Sequence, residues 1–353
     1  MKFQFFSRDL AVDLGTSNVL IYVDGKGVTV REPSVVAMDK NTGRILDVGS
    51  GARNMLGRTP GNVVAMRPLQ HGVISDHEMT VRMLQELFRK ATTNSLMTNF
   101  FTPKPRVVIC VPSGVTEIEE RSVLNAAIEA GARRVYLIEE PLAAGLGANL
   151  DISGPNGNMV VDIGGGTTDV AVLSMNGVAI SSSVPVAGDA FDEAIAKYIR
   201  RKHNIIVGQT TAEDIKIQIG CVCLRPEDAT MLVKGRDTKT GMPRQVTLLS
   251  SEICEILQRP ARVICDEVLS VLEDTSPELV GDISKNGITL TGGGCQIWGM
   301  AQLLSERTGI TCRIADDPAS CVAYGCGKSL AWMNHMQEGP INLARKRLLR
   351  DLR

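Results

Sequence analysis

Two stretches of this chain repeat each other. Residues 10–23 read LAVDLGTSNVLIYV, and residues 159–173 read MVVDIGGGTTDVAVL. Each copy is an apolar strand, an aspartate, a tight turn containing glycine and threonine, and a second alternating strand. Asp13 and Asp162 hold the same place in the two copies. Two such hairpins in one chain predict two similar subdomains facing each other. The length of 353 residues allows two lobes of ordinary size, and 44% hydrophobic with 22% charged residues is a globular composition. A net charge of −1 provides no basic field, so no nucleic-acid partner is expected.

Between and after the copies, strands alternate with helices, which predicts α/β architecture. Strands are expected near 28–30, 35–38, 45–48, 106–112, 134–138 and 288–294. Ser75 and Glu78 form a capping-box pattern for a helix to about 91. Thr116 and Glu119 do the same for a helix that stops at Gly131. Pro141 suits the first turn of a helix. Further helices are read at about 190–202, 212–220 with Thr211 as cap, 251–273, 297–307 and 319–333. Asp24-Gly25 and Asn176-Gly177 read as plain hairpin turns. After Gly339-Pro340, the segment INLARKRLLRDLR has the spacing of a short basic amphipathic helix.

The nine cysteines form no C-x-x-C pair, and none lies at metal-ligand spacing from a histidine. Most lie in apolar runs and read as reduced core residues of a cytosolic protein. The N-terminus has no signal-peptide pattern, and no stretch approaches the ~20 apolar residues of a spanning helix.

Three glycine-rich turns follow apolar strands: Gly15-Thr16-Ser17-Asn18, Gly164-Gly165-Gly166-Thr167 and Thr291-Gly292-Gly293-Gly294. Consecutive N–H groups in such turns make anion-binding concavities, and hydroxyls add donors. Two facing turns could clamp the phosphates of a nucleotide. A Walker loop is absent, and the first βα turn lacks G-x-G-x-x-G. Each repeat also ends a buried strand with a carboxylate that needs a partner, and Mg²⁺, held through its waters, fits Asp13 and Asp162. Glu140 follows a strand and opens a helix. It reads either as the group that orients an attacking water or as an acid favoured by the helix dipole. Glu213 and Lys216 have i, i+3 spacing and by themselves read first as a surface ion pair.

DLGTSN, EEPLAAGLGA, MVVDIGGGTTD, AEDIKIQIG and LTGGG, in that order, resemble the actin/Hsp70/sugar-kinase ATPase superfamily. More narrowly, with VREPSVVAMD, GRTPGNVVAMRPLQHGVISD and KPRVVICVPSGVTEIEERSV, the chain resembles the MreB/Mbl family of bacterial rod-shape-determining proteins from about residue 8 to 333. The resemblance implies an actin-like ATPase fold: two lobes with an ATP cleft, duplicated ribonuclease-H-like cores and two small subdomains. It implies subdomains IA (1–33, 75–145, 320–353), IB (34–74), IIA (146–182, 250–319) and IIB (183–249). It assigns phosphate contacts to Gly15, Thr16, Ser17 and Asn18 and to Gly164, Gly165, Gly166 and Thr167. The nucleoside would meet Glu213, Asp214, Ile215 and Lys216, with Thr291 to Gly294 lining adenine and ribose. Asp13 and Asp162 would sit near Mg²⁺, and Glu140 would position water. Ser17 stands where alanine is common in the family, and GCVCLRP at 220–226 is unusual.

The implied activity is slow ATP turnover coupled to filament formation, with the protein itself as partner in paired protofilaments. The implied role is rod-shape maintenance with cell-wall elongation proteins, in the cytoplasm, at the inner face of the membrane. Phe3, Phe5 and Phe6, the apolar loop residues Leu96, Met97, Phe100 and Phe101, and the basic tail are the candidate membrane contacts. A small-molecule kinase of the same superfamily and an Hsp70-like ATPase are the rivals. No sugar- or acetate-kinase motif is visible, and the length is expected to leave no room for a peptide-binding domain.

Overall fold

The computed structural model describes residues 9–92 and 104–335. The aromatic N-terminal residues, the apolar 96–101 loop and the basic tail singled out above lie outside the described residues. The chain divides into two compact units. One comprises the chain up to Asp151 together with the segment from Ser320 onward, and the other comprises Ile152–Ala319.

Each unit is built on a five-stranded sheet, and the two sheets have one topology. We number only these ten strands. The first sheet contains β1 (Leu10–Leu14), β2 (Asn18–Val23), β3 (Gly27–Pro33), β4 (Arg106–Val111) and β5 (Arg134–Glu139). The second contains β6 (Asn158–Ile163), β7 (Thr168–Ser174), β8 (Gly177–Val184), β9 (Ile288–Thr291) and β10 (Cys312–Ile314). Their spatial orders are β3-β2-β1-β4-β5 and β8-β7-β6-β9-β10. In both, an antiparallel meander of three strands is followed by two parallel ones. β4 and β5 are near-continuous apolar runs because both faces are covered: each buries all but its first residue.

Helices supply the cover. His77–Thr92 buries Met83, Leu84 and Leu87 in the first unit's core. Gly188–His203 and the long Ser250–Asp274 helix bury Phe191, Ile195, Leu257 and Ile264 in the second. Side chains of this size contribute about 1.5–3 kcal/mol each when taken fully out of water.

Thr116 and Glu119 form the expected reciprocal capping box. At the preceding helix the cap is Asp76, whose Oδ1 accepts the Met79 N–H at 3.0 Å, while Ser75 Oγ donates to the Pro68 carbonyl. The carboxylate, one residue closer, reaches the third helical N–H and displaces the predicted serine. The helix read as capped by Thr211 runs Gln209–Ile219 with Gly208 at the N-cap. The helix read from 297 begins at Met300, preceded by a 3₁₀ turn at Gly293–Gln296.

The predicted Asn176-Gly177 turn is displaced by one residue. Ser174 pairs with Gly177, so the two-residue loop is Met175-Asn176, with φ of 50° and 58°. Both loop positions are left-handed, as a type I′ turn requires, and methionine is unsuited to the first. Met175→Asn is therefore expected to raise stability by about 0.5–1 kcal/mol, read from the urea midpoint. An unchanged midpoint would show that the turn carries no strain.

Candidate functional site

The two repeats fold into equivalent turns. The Gly15 N–H donates to the Asn18 carbonyl at 3.1 Å, and the Gly164 N–H donates to the Thr167 carbonyl at 2.9 Å. The pairings Leu14↔Val19 and Ile163↔Thr168 flank them. Position by position, Thr16 matches Gly165, Ser17 matches Gly166, and Asn18 matches Thr167.

Each turn is anchored from behind. In the first unit, Ser34 Oγ donates to the Gly15 carbonyl at 2.6 Å, and the Ser34 N–H donates to the Ser17 carbonyl. Thr16 is buried, with its Oγ1 accepting the Gly72 N–H at 2.9 Å, whereas Asn18 is exposed. In the second unit, the Gly188 and Asp189 N–H groups donate to the Gly164 and Gly165 carbonyls at 3.2 and 2.8 Å. Fixing the carbonyls backward holds each tip in one conformation.

Behind the first turn, Asp13 is nine-tenths buried at the end of β1. Cys110 on β4 approaches Asp13 Oδ1 at 3.5 Å and Glu140 Oε1 at 3.9 Å. The ligand atoms of Asp13, Cys110 and Glu140 all lie within 4.8 Å of one another. Burial pushes the Asp13 carboxyl up to about 7, partly offset by the Cys110 thiol. Hydrogen bonding to Cys326, burial and the neighbouring carboxylates push the Cys110 thiol well above its usual range. A protonated thiol is no ligand for Mg²⁺, while the two carboxylates offer the hard oxygens that Mg²⁺ takes. Glu140 is the first residue of the Glu140–Gly147 helix, with Pro141 in its first turn as predicted, and is partly exposed.

Behind the second turn, Asp162 is buried at the end of β6, and Thr291 Oγ1 donates to its Oδ1 at 2.5 Å. Thr291 is fully buried. Gly292 has φ +79°, and a Cβ there would stand 2.3 Å from the Ile163 carbonyl oxygen. Gly294 is also buried, and a Cβ there would meet Ile163 Cγ2 at 2.5 Å. Gly293 alone of this turn is exposed, with open space where a side chain would stand. The turn thus combines close packing on β6 with one open backbone position.

On the Gln209–Ile219 helix, Lys216 Nζ pairs with Asp192 Oδ1 at 2.9 Å and donates to the Gly188 carbonyl at 3.0 Å. Asp192, which no sequence spacing indicated, is thus a partner of Lys216 from another helix. Ile215 is in the core, so only its backbone can meet a ligand, whereas Glu213 and Asp214 are half-buried. Burial pushes the Asp192 carboxyl up to about 6, against the pull of Lys216. A carboxyl raised on folding binds more protons in the native state. Its contribution therefore falls as pH rises from about 4 to about 6 and is flat above. Asp192→Asn is expected to remove that slope, seen as a smaller change of urea midpoint between pH 4.5 and 7. An equal slope in the variant would assign it to other groups.

Sequence reasoning missed Cys110, Asp192 and Gly188. Cys110 was legible in principle, since it ends an apolar strand as Asp13 and Asp162 do. All nine cysteines are free, and eight are buried. Burial pushes the Cys254 thiol up to about 12 and that of Cys265 to about 11, so they stay protonated.

The MreB/Mbl protein family model matches residues 7–338. The cell shape-determining protein Mbl of Bacillus cereus is 49% identical over 322 residues, 91% of this chain and 95% of that protein. The cell shape-determining protein MreB of Escherichia coli K12 is 49% identical over 329 residues, 92% and 94% of the two chains. Crystal structures of MreB5 of Spiroplasma citri bound to ADP and to AMPPNP superpose with a TM-score of 0.86. They are 38% and 39% identical, covering 92% and 93% of this chain and 97% of that one. With duplicated sheets, matched aspartate–glycine turns and this similarity over nearly the whole length, the chain belongs to the MreB/Mbl family and has an actin-like fold.

Proposed function

We propose that this chain is an ATP-binding, actin-like filament protein that determines cell shape by organising wall synthesis at the inner face of the cytoplasmic membrane. The observation that carries the reading is the duplicated hairpin: one aspartate–glycine turn, in one register, in two sheets of one topology. The nucleotides in the S. citri relatives and the cell-shape role named for the curated relatives support it. The 15–18 and 164–167 turns are the phosphate-binding elements. Glu213, Asp214 and Lys216, the Ile215 backbone and the 291–294 turn meet the nucleoside. Asp13 and Asp162 hold Mg²⁺ through water, and Glu140 orients the attacking water. When bound, Mg²⁺ neutralises phosphate charge.

Self-association is head to tail, which extends without closing, and many weak membrane anchors along one filament add to a strong attachment. Among the described residues no helix is long and apolar enough to cross a membrane. The anchors in this reading are the aromatics at 3–6, the apolar residues of 96–101 and the basic residues of the tail. The subdomain division is IA (1–33, 75–145, 320–353), IB (34–74), IIA (146–182, 250–319) and IIB (183–249).

Sedimentation with anionic liposomes, with and without Mg-ATP, followed by electron microscopy of the pellet, tests this reading. Paired, nucleotide-dependent filaments on lipid are expected. A chain that binds ATP yet stays monomeric and off lipid at all salt and protein concentrations would replace this reading with that of a superfamily kinase.

A further inference from the structure

The duplicated sheets also duplicate something the two hairpins do not contain. In each unit the strand-end aspartate lies beside a parallel neighbour strand that ends at the same level. In the second unit the register places Thr291 of β9 opposite Asp162 of β6. In the first, Val12 pairs with Ile109, and one residue further the same ladder brings Cys110 of β4 beside Asp13 of β1. Both neighbours carry a side-chain donor, and both aim it at the aspartate: Thr291 Oγ1 at 2.5 Å from Asp162 Oδ1, Cys110 Sγ at 3.5 Å from Asp13 Oδ1.

We infer that Cys110 and Thr291 are matched positioning residues, each fixing the rotamer of its unit's strand-end aspartate from the adjacent parallel strand. The inference rests on the proposed role of Asp13 and Asp162 at Mg²⁺.

Three observations carry it. First, both aspartates are at least nine-tenths buried, and a buried carboxylate oxygen needs a donor. Second, neither donor can turn toward solvent, because Thr291 is fully buried and Cys110 nearly so. Third, the two donors are topologically equivalent although 181 residues apart in sequence (291 − 110) and unlike in chemistry. Neighbouring strand ends in a parallel sheet point side chains of equal register the same way, so one position serves one purpose in both units.

The chemistry differs in a way the geometry explains. A hydroxyl is a strong donor to a carboxylate and makes one short bond. A thiol is a weak donor with a larger radius. Cys110 can therefore lie against Asp13 and, at 3.9 Å, also against Glu140 on the next element, keeping both carboxylates at one spacing. Thr291 serves a single carboxylate and holds it tightly. Supporting residues of this kind typically change metal affinity or activity by about 10–100-fold when removed.

The experiment uses the full chain and measures binding of a fluorescent ATP analogue as Mg²⁺ is titrated, beside the same binding in EDTA and the melting temperature. Thr291→Val keeps the shape and removes the hydroxyl, and Thr291→Ser restores it. Cys110→Ala and Cys110→Ser do the same for the thiol. The expected result is a rise of about 10-fold in the Mg²⁺ concentration for half-maximal effect in Thr291→Val and Cys110→Ala. In the Cys110 variants EDTA binding should stay within about twofold, and both serine variants should return to near wild type. Removal variants that keep the wild-type Mg²⁺ requirement would overturn the inference. So would serine variants as impaired as the removal variants, or, for Cys110, equal losses with and without Mg²⁺, either of which marks a packing role. A wild-type chain whose ATP binding ignores Mg²⁺ would overturn the metal assignment of the two aspartates, and this inference with it. That failure is distinguishable, because it appears before any substitution is made.

Discussion

Alanine at Gly325 is expected to destabilise its unit by about 1–3 kcal/mol, an overpacking cost that the gain in helix propensity offsets only in part. Gly325 lies in the Cys321–Ser329 helix, which packs on the Glu140–Gly147 helix. A Cβ on Gly325 would stand 1.7 Å from the Ala143 carbonyl oxygen, and one on Gly147 would stand 1.8 Å from the Cys321 carbonyl oxygen. The contacts are reciprocal and four residues apart on both helices, so backbone meets backbone along one small-residue seam. Neither carbonyl can rotate away, and the helices must separate to admit a methyl group. Glu140 opens the displaced helix, so the damage reaches the candidate site.

The same substitution at Gly281 is expected to have the opposite sign. Gly281 is exposed inside the Pro277–Asn286 helix, with nothing within 4 Å of a built Cβ. Alanine there should stabilise by up to about 1 kcal/mol. Urea unfolding followed by fluorescence separates the two cases, because Trp332 lies in the first unit and Trp298 in the second. A Gly325→Ala midpoint equal to wild type would show that the helices yield at no cost.

Glu140→Gln is expected to lower the rate of ATP hydrolysis by about 10²–10⁴-fold while leaving nucleotide affinity within a few-fold. The substitution keeps the size of the side chain and removes its negative charge. In the proposed assignment Glu140 acts on the attacking water, an interaction realised in the transition state, so turnover suffers and binding does not. Its place supports that role. The residue is held at the first helical position by the turn containing Pro141, partly exposed, with one oxygen near Cys110. Single-turnover phosphate release measures the effect. Release at the wild-type rate would remove Glu140 from the reaction.

Much of this protein was legible without coordinates. The two hairpins, their aspartates and the α/β alternation were written in residue patterns, because strand alternation and turn composition are local properties. The Thr116–Glu119 capping box was likewise local, and it formed. Errors fell where two local choices were close in energy. Asp76 displaced Ser75 as a helix cap, and the 175–176 turn slipped one residue once the β7–β8 register was set by the sheet.

Other features rest on pairings that no local pattern carries. Asp192 meets Lys216 from another helix, 24 residues away. Cys110 and Thr291 meet Asp13 and Asp162 only because parallel strands end side by side. Gly147 and Gly325 read as ordinary helix-weakening glycines until the crossing that requires them is seen. The sequence by itself determined most of the strands and helices, that one unit is duplicated, and which glycine-rich turns are the candidates for phosphate, since each depends on residues a few positions apart. Tertiary structure alone decided which donor faces each buried carboxylate and where backbones touch, because parallel pairing and helix crossing join residues that no local preference connects.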